Sequence, residues 1–183
     1  MQRFTAERTR DTADEIWLLE HDPVYTLGYA SRPEHLLAPG TIPVIQTDRG
    51  GQVSYHGPGQ VVAYTLLDIA RRGIGVRQWV HTLEQAVVNL LATYDIAAHP
   101  RPDAPGVYIG PAKIAFLGLR IRHGRAYHGV ALNVDMDLAP FAHINPCGYP
   151  GLAVTQLANL GRSAPCSEVA DALAKHLIRL LHL

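Results

Sequence analysis

Apolar residues recur at three-and-four spacing in two stretches of this chain, separated and preceded by runs of strand length. That ordering constrains the fold more than any other feature. Val76, Trp79, Val80, Leu83, Val87, Leu90, Leu91 and Tyr94 mark one amphipathic helix. After Pro165, SEVADALAKHLIRLL marks a terminal one, with Val169, Leu173, Leu177 and Leu180 or Leu181 on a single face. Ahead of the first helix, EIWLLEH, VYTLG, PVIQTD, QVSYH and QVVAYTLLDI read as strands, with a tight turn at His56-Gly57-Pro58-Gly59. Between the helices, GVYI, KIAFLGLRIRHG and RAYHGVALNVDM read as further strands, the last two joined by a hairpin turn at His123-Gly124. The opening TAERTRDTADE is a short helical or frayed polar piece, PRPDAPG breaks the chain, and LAPFAHINPCGYPG is loop-like. Strands, one long helix, more strands and a terminal helix predict an α+β fold, with a mixed or antiparallel sheet and helices packed on it.

A chain of 183 residues is long enough for one domain with a substantial core. Its 16 Lys+Arg balance 16 Asp+Glu, so it lacks the basic excess of a nonspecific nucleic-acid binder. No apolar run approaches the roughly 18 residues of a spanning helix, and the start lacks the apolar core of a signal peptide. Two cysteines do not make a disulfide scaffold, so a reducing, cytoplasmic setting is expected.

One of those cysteines stands out. Cys147 lies in INPCGYPG, where Asn145-Pro146 and Gly148-Tyr149-Pro150-Gly151 hold it in a turn-rich segment without apolar periodicity. Such segments carry function more often than packing. A thiolate is a strong nucleophile once a cation or aligned N–H groups favour it. Cys166, at the start of the terminal helix, has a natural packing role instead. Lysines are scarce. Lys175 falls on the terminal helix as a solvated side chain, whereas Lys113 opens an otherwise apolar strand. An ammonium there either faces water at the strand end or stands beside Cys147, favouring its thiolate and relaying a proton. His56, His128 and His143 leave a Cys-His pairing open. No HxxxH or CxxC spacing supports a metal site.

The segment RGGQVSYHGPGQ adds a pocket wall. Gly50 and Gly51 permit close backbone approach. Alternation from Gln52 puts Val53 and Tyr55 on one face and Ser54 on the other. No GK[ST] follows and no helix opens after it, so it is neither a P-loop nor a dinucleotide fingerprint.

RGGQVSYHGPGQ, KIAFLGLRIRHG, YHGVALNVDMDLAPFAHINPCGY and EHDPVYTLG together closely resemble the octanoyl-[acyl-carrier-protein]–protein N-octanoyltransferases of lipoate biosynthesis. The resemblance runs from about Asp14 to the terminal helix. It implies the catalytic fold shared by biotin–protein and lipoate–protein ligases. It also implies a reaction in which a cysteine takes an octanoyl group from acyl carrier protein as a thioester. The group then passes to a lysine of a lipoyl domain, in a 2-oxoacid dehydrogenase or glycine-cleavage protein, with no ATP, no cofactor and no metal. Residue by residue, the resemblance assigns Cys147 as the acylated thiol and Lys113 as the lysine that favours its thiolate. It assigns Arg49, Gly50, Gly51, Gln52, Val53, Ser54, Tyr55 and His56 as substrate wall. Phe116, Leu117 and Gly118, with Gly129, Val130 and Ala131, line the acyl pocket. Two departures accompany it. Relatives usually carry a strand and helix ahead of the region matching TAERTRDTADE, which this chain is expected to lack. Relatives also often have a small or polar residue where Phe116 stands, so that ring is expected to trim the pocket. Arg120, Arg122 and Arg125 are candidates for docking an acidic carrier or else solvated strand residues. Three other readings stay in view: an ATP-dependent lipoate- or biotin-type ligase, a non-catalytic binder of lipoyl domains or acyl carrier protein, and a cysteine hydrolase.

Overall fold

A computed structural model describes residues 1–182. Nine strands form two sheets. The larger contains β1 (Glu15–Leu19), β5 (Gln60–Asp68), β9 (Arg125–Asn133), β8 (Ala112–Arg122), β7 (Gly106–Ile109) and β6 (His99–Pro100), in that spatial order and antiparallel throughout. The smaller places β2 (Val24–Leu27) between β3 (Val44–Gln46), which is parallel to it, and β4 (Ser54–His56), which is antiparallel. The expected α+β class holds, divided between two sheets. β6 is the one strand the sequence reading did not anticipate: it falls where PRPDAPG reads as a break, and its Pro100 is tolerated because β6 is an edge strand.

The two predicted helices are α2 (Val76–Ala92) and α3 (Cys166–Leu181), and a short α1 (Gln2–Glu7) opens the chain. Trp79, Leu83, Val87 and Leu90 of α2 and Val169, Leu173, Leu177 and Leu181 of α3 are buried in one cluster with Ala63, Leu67, Ala115, Val130 and Leu132 of the large sheet. The helices therefore cover one face of that sheet. The opposite face meets the small sheet through a second cluster of Tyr25, Val53, Tyr55, Phe116 and Phe141. The β8–β9 hairpin closes at His123 and Gly124, both at positive φ (51° and 75°), as a two-residue type I′ turn requires.

Asp14, at the entrance to β1, ties the chain's start to the sheet. Its Oδ1 accepts from Arg8 (2.5 Å), Arg71 (2.9 Å) and the Asp68 amide (2.9 Å), and its Oδ2 from Arg72 (2.6 Å). Arg72 also donates to the Leu181 carbonyl at the end of α3 (2.9 Å). Burial alone would raise the Asp14 carboxyl, but the Asp68 amide and the Arg72 and Arg8 guanidinia outweigh it and hold the group below its ordinary range. A carboxyl depressed by folding stabilises the fold above its unfolded value of 3.8, and this contribution fades as pH falls through the folded value. Replacing Asp14 by Asn leaves the fully buried Arg8 without its counter-charge and should cost about 3 kcal/mol at pH 7. In chemical denaturation, the gap between wild type and Asp14→Asn should narrow below pH 3.8.

Candidate active site

A cavity of about 520 Å³ opens between the two sheets, within the roughly 300–1,000 Å³ range usual for small-molecule sites. Cys147 and Lys113 stand together on its wall. Lys113 Nζ donates to Cys147 Sγ at 3.2 Å and to the Pro105 carbonyl at 2.8 Å. The two residues come from segments 34 positions apart, and each is aimed by an irregularity of the backbone.

For Lys113 the irregularity is a β-bulge. Phe116 pairs with Gly106 and Ala115 with Val107, but Tyr108 pairs with Lys113, leaving Ile114 as an extra residue in β8. Strict alternation would put Lys113 and Phe116 on opposite faces; the extra residue brings both to the cavity. Gly106 is matched to this arrangement. It sits at φ 144°, and a Cβ there would fall 2.3 Å from Lys113 Cε. The lysine is 1% exposed, and its ammonium lies 5.3 Å from the Tyr108 ring centroid and 5.2 Å from that of Phe116. Two aromatic faces, one carbonyl and one sulfur replace the water it has lost.

For Cys147 the irregularity is a left-handed backbone (φ 57°, ψ 15°) inside the short 3-10 turn Pro146–Gly148, a conformation that is uncommon outside glycine. Neighbours hold it. The Cys147 amide donates to the Val53 carbonyl (3.2 Å), Asn145 N to the His35 carbonyl (2.8 Å), and the Tyr149 hydroxyl to the Asp103 carbonyl (2.9 Å).

The segment after Asp48 runs along the cavity. Arg49, Gly50, Gly51, Gln52, Val53, Ser54 and His56 line it. Tyr55 does not: it turns into the second core, 5.5 Å from Tyr25 and 5.4 Å from Phe141 between ring centroids. Val53 and Tyr55 do share a face, as alternation predicts, but it is the face turned to the second core. The expected place of Tyr55 on the pocket wall is corrected, because Ser54 and His56 hold the cavity side of the strand while Val53, just ahead of it, borders both. Arg49 is 8% exposed and spans the gap between sheets, donating to the Thr26 carbonyl (2.7 Å), the Thr26 hydroxyl (2.8 Å) and the Gly50 carbonyl (3.0 Å). Burial lowers its guanidinium to about 10. Ser54 Oγ is buried on this wall with no hydrogen-bond partner among the described residues.

Phe116, Leu117, Gly118, Gly129, Val130 and Ala131 all border the cavity. They divide by strand parity. Phe116 packs with the second core and stacks on Phe141 at 5.2 Å, whereas the side chains of Leu117 and Val130 belong to the helix-side core. Gly118 and Gly129 are paired opposite each other. A Cβ on Gly118 would meet Arg49 Cδ at 2.7 Å, so this glycine makes room for the arginine stem. A Cβ on Gly129 would lie 2.0 Å from the Ala63 carbonyl oxygen on β5.

Histidines cluster on the wall but do not pair with the thiol among the described residues. His56 donates through Nδ1 to Gln60 Oε1 (2.7 Å), and Gln60 donates onward to Asn133 Oδ1 (2.9 Å). Loss of water around the ring drives His56 down to about 4, so it is neutral at neutral pH. His128 Nε2 meets Asp48 Oδ1 at 2.8 Å, and its positive φ (63°) lets adjacent Tyr127 and His128 both reach that carboxylate. His143 is exposed on the loop before Cys147 and is not part of the wall. Sequence reasoning did not single out His21, Tyr64 or Thr26, all of which line the cavity; His21 Nε2 lies 2.6 Å from the Tyr64 hydroxyl. The polar positions within EHDPVYTLG and QVVAYTLLDI were the available signal. Of the arginines considered for docking, Arg125 donates to the Thr5 carbonyl (3.1 Å), Arg120 lies over the Tyr29 ring, and Arg122 is exposed.

Cys166 gives the contrast. At the first position of α3, half-buried, its thiol is pushed up to about 11 by burial and by Glu20 and Asp135.

The fold has solved counterparts. A lipoate-protein ligase A bound with ATP superposes with a TM-score of 0.82 at 18% identity, covering 99% of this chain and 78% of that one. The bi-partite lipoate protein ligase of Thermoplasma acidophilum gives 0.81 at 19% (99% and 76%), and the biotin protein ligase of Aquifex aeolicus 0.61 at 19% (88% and 71%). The architecture is thus that of the lipoate- and biotin-protein ligases. At the sequence level, residues 1–178 match the lipoyl protein ligase A/B catalytic domain, and the chain belongs to that family. It is 62% identical to the octanoyltransferase of Stutzerimonas stutzeri (strain A1501) over 99% of this chain and 83% of the relative. It is 64% identical to that of Azotobacter vinelandii over 88% and 74%. It is an enzyme, an acyltransferase. No helix among the described residues is long and apolar enough to cross a membrane.

Gly129→Ala should destabilise the protein by about 1–3 kcal/mol, because the new methyl meets a strand carbonyl that cannot swing away. A drop in the urea midpoint with unchanged m-value is the expected result.

Proposed function

We propose that this protein transfers an octanoyl group from octanoyl-acyl carrier protein to one lysine of a lipoyl domain, by way of a thioester on Cys147. The acceptors would be lipoyl domains of 2-oxoacid dehydrogenases and of the glycine-cleavage protein, and the setting the cytoplasm. The observation that carries the reading is the contact of Lys113 Nζ with Cys147 Sγ at 3.2 Å, on the wall of the cavity between the sheets. The names of its relatives support the octanoyl group in particular.

In the first half-reaction the Cys147 thiolate attacks the carbonyl of the carrier's thioester, and the carrier's thiolate leaves. Lys113 gives that thiolate a proton, so that carrier thiol, acyl-cysteine and neutral lysine result. In the second half the lipoyl-domain amine attacks the acyl-cysteine. Lys113 takes a proton from the nitrogen as the amide forms, and the thiolate–ammonium pair is restored. Both halves balance without ATP, which fits a thioester as the starting acyl donor. The acyl chain would lie along Phe116, Gly118, Gly129 and Ala131, with the wall from Arg49 to His56 opposite. Phe116 and its stacked partner Phe141 limit the space beside Lys113.

Mixing the protein with octanoyl-acyl carrier protein should give a single octanoyl adduct, mapped to Cys147 by peptide mass spectrometry. Cys147→Ser should lose nearly all transfer and Cys166→Ser should keep it; retained transfer by the Cys147 variant would refute the proposal. Lys113→Met should slow transfer by on the order of 10²–10⁴-fold, the range for losing one acid–base group. It should also slow iodoacetamide alkylation of Cys147 at pH 7.

A further inference from the structure

Among the described residues the ammonium of Lys113 has no carboxylate as a hydrogen-bond partner, yet a carboxylate lies one peptide group away. Glu84 sits on the core-facing side of α2, between Leu83 and Val87, and is 7% exposed. Its Oε1 accepts the Gly106 amide proton at 2.9 Å. That amide belongs to the same peptide unit as the Pro105 carbonyl, which accepts from Lys113 Nζ at 2.8 Å. Carboxylate, peptide, ammonium and sulfur thus form one continuous line.

We propose that Glu84 is a positioning residue for the transfer reaction, acting through the Pro105–Gly106 peptide to keep Lys113 protonated and directed at Cys147. The proposal rests on the Cys147–Lys113 reading above.

The physics is that of a charge held at the far end of a dipole. A trans peptide carries its N–H and C=O pointing in opposite directions. A carboxylate on the N–H end polarises the group and strengthens the carbonyl as an acceptor for the ammonium at the other end. The thiolate–ammonium pair and the thiol–amine pair carry the same net charge, and they differ in where the proton sits: on nitrogen, giving a positive lysine and a negative sulfur, or on sulfur, leaving both uncharged. A negative charge on the lysine side therefore favours the ion pair. Burial holds the Glu84 carboxyl above its ordinary value, only partly offset by the Gly106 amide, His81 and Lys113. The anchoring also explains why the chain departs from regular backbone here. Gly106 at φ 144° lets its amide face α2 while its missing Cβ leaves the lysine stem its course. A buried carboxylate on an apolar helix face is expensive, and here it is met by the Gly106 amide.

Four proteins test this: wild type, Glu84→Gln, Lys113→Met and the double variant, with Cys166→Ser as common background. The rate of iodoacetamide alkylation at Cys147, pH 7, is the readout beside thermal stability. Glu84→Gln keeps an acceptor for the Gly106 amide and removes the charge, so alkylation should slow by about tenfold, the order expected of one charge across a part-buried peptide. In the Lys113→Met background the same substitution should change the rate less than twofold, because its effect runs through the lysine. An undiminished effect in that background, or no effect in the single variant, would overturn the proposal. Glu84→Asp, which keeps the charge, should stay nearer to wild type than Glu84→Gln even if both variants lose stability; the reverse order would also overturn it. Failure of the underlying dyad looks different: Lys113→Met would then alkylate as fast as wild type.

Discussion

A lysine ammonium that is 1% exposed sets the terms for everything around it. Removing such a group from water costs several kcal/mol unless the protein supplies electron density in return. Here that density comes from four directions: the Pro105 carbonyl, the Cys147 sulfur and the faces of Tyr108 and Phe116. Each supplier requires something of the chain. The bulge at Ile114 turns the lysine toward the cavity, Gly106 leaves its stem a path, and Cys147 accepts a left-handed backbone to bring its sulfur within reach. Three local irregularities in three segments thus share one cause, and the regular sheet and helix packing holds them in place.

The cavity depends on what is missing from the sheet. Two glycines paired across β8 and β9 keep the floor low, and one of them admits the stem of Arg49, which fastens β2 and the glycine-rich segment over the opening. The charge in this space is economical. Arg49 keeps its charge and is held by the uncharged Thr26 and Gly50 groups, His56 is neutral through burial, and His128 is held by Asp48. The cation beside the sulfur is the Lys113 ammonium, and the guanidinium of Arg49 is drawn into hydrogen bonds with β2 and the glycine-rich segment.

Much of this was legible from residues alone. Both long helices follow from their apolar stripes, and the hairpin at His123-Gly124 follows from turn chemistry. Cys147 and Lys113 could be singled out because a thiol in a turn-rich run and an ammonium in an apolar strand are each out of place. What could not be read is parity. Alternation tells that Val53 and Tyr55 share a face, but not that this face is the second core's and that the cavity lies on the side of Ser54 and His56. A bulge is invisible to periodicity, so Lys113 and Phe116, three apart, gave no sign of sharing a face. Leu117 and Val130 came with their motif neighbours, although an extended strand sends alternate side chains to opposite layers. Glu84 did leave a trace, since it interrupts the apolar stripe of α2 at a core-facing position, but its partner lies 22 residues downstream.

The two cysteines show how much of reactivity is placement. Both are half-buried and both lie beside a helical turn. Burial, helped by the neighbouring carboxylates of Glu20 and Asp135, pushes the Cys166 thiol up to about 11. Cys147 has an ammonium 3.2 Å away. Reversing the sign of the nearest charge changes what a half-buried thiol faces while leaving burial class and residue type unchanged, and the proposed role of Cys147 rests on that contrast. In a chain with only two lysines, the position of one of them is what separates the surroundings of Cys147 from those of Cys166.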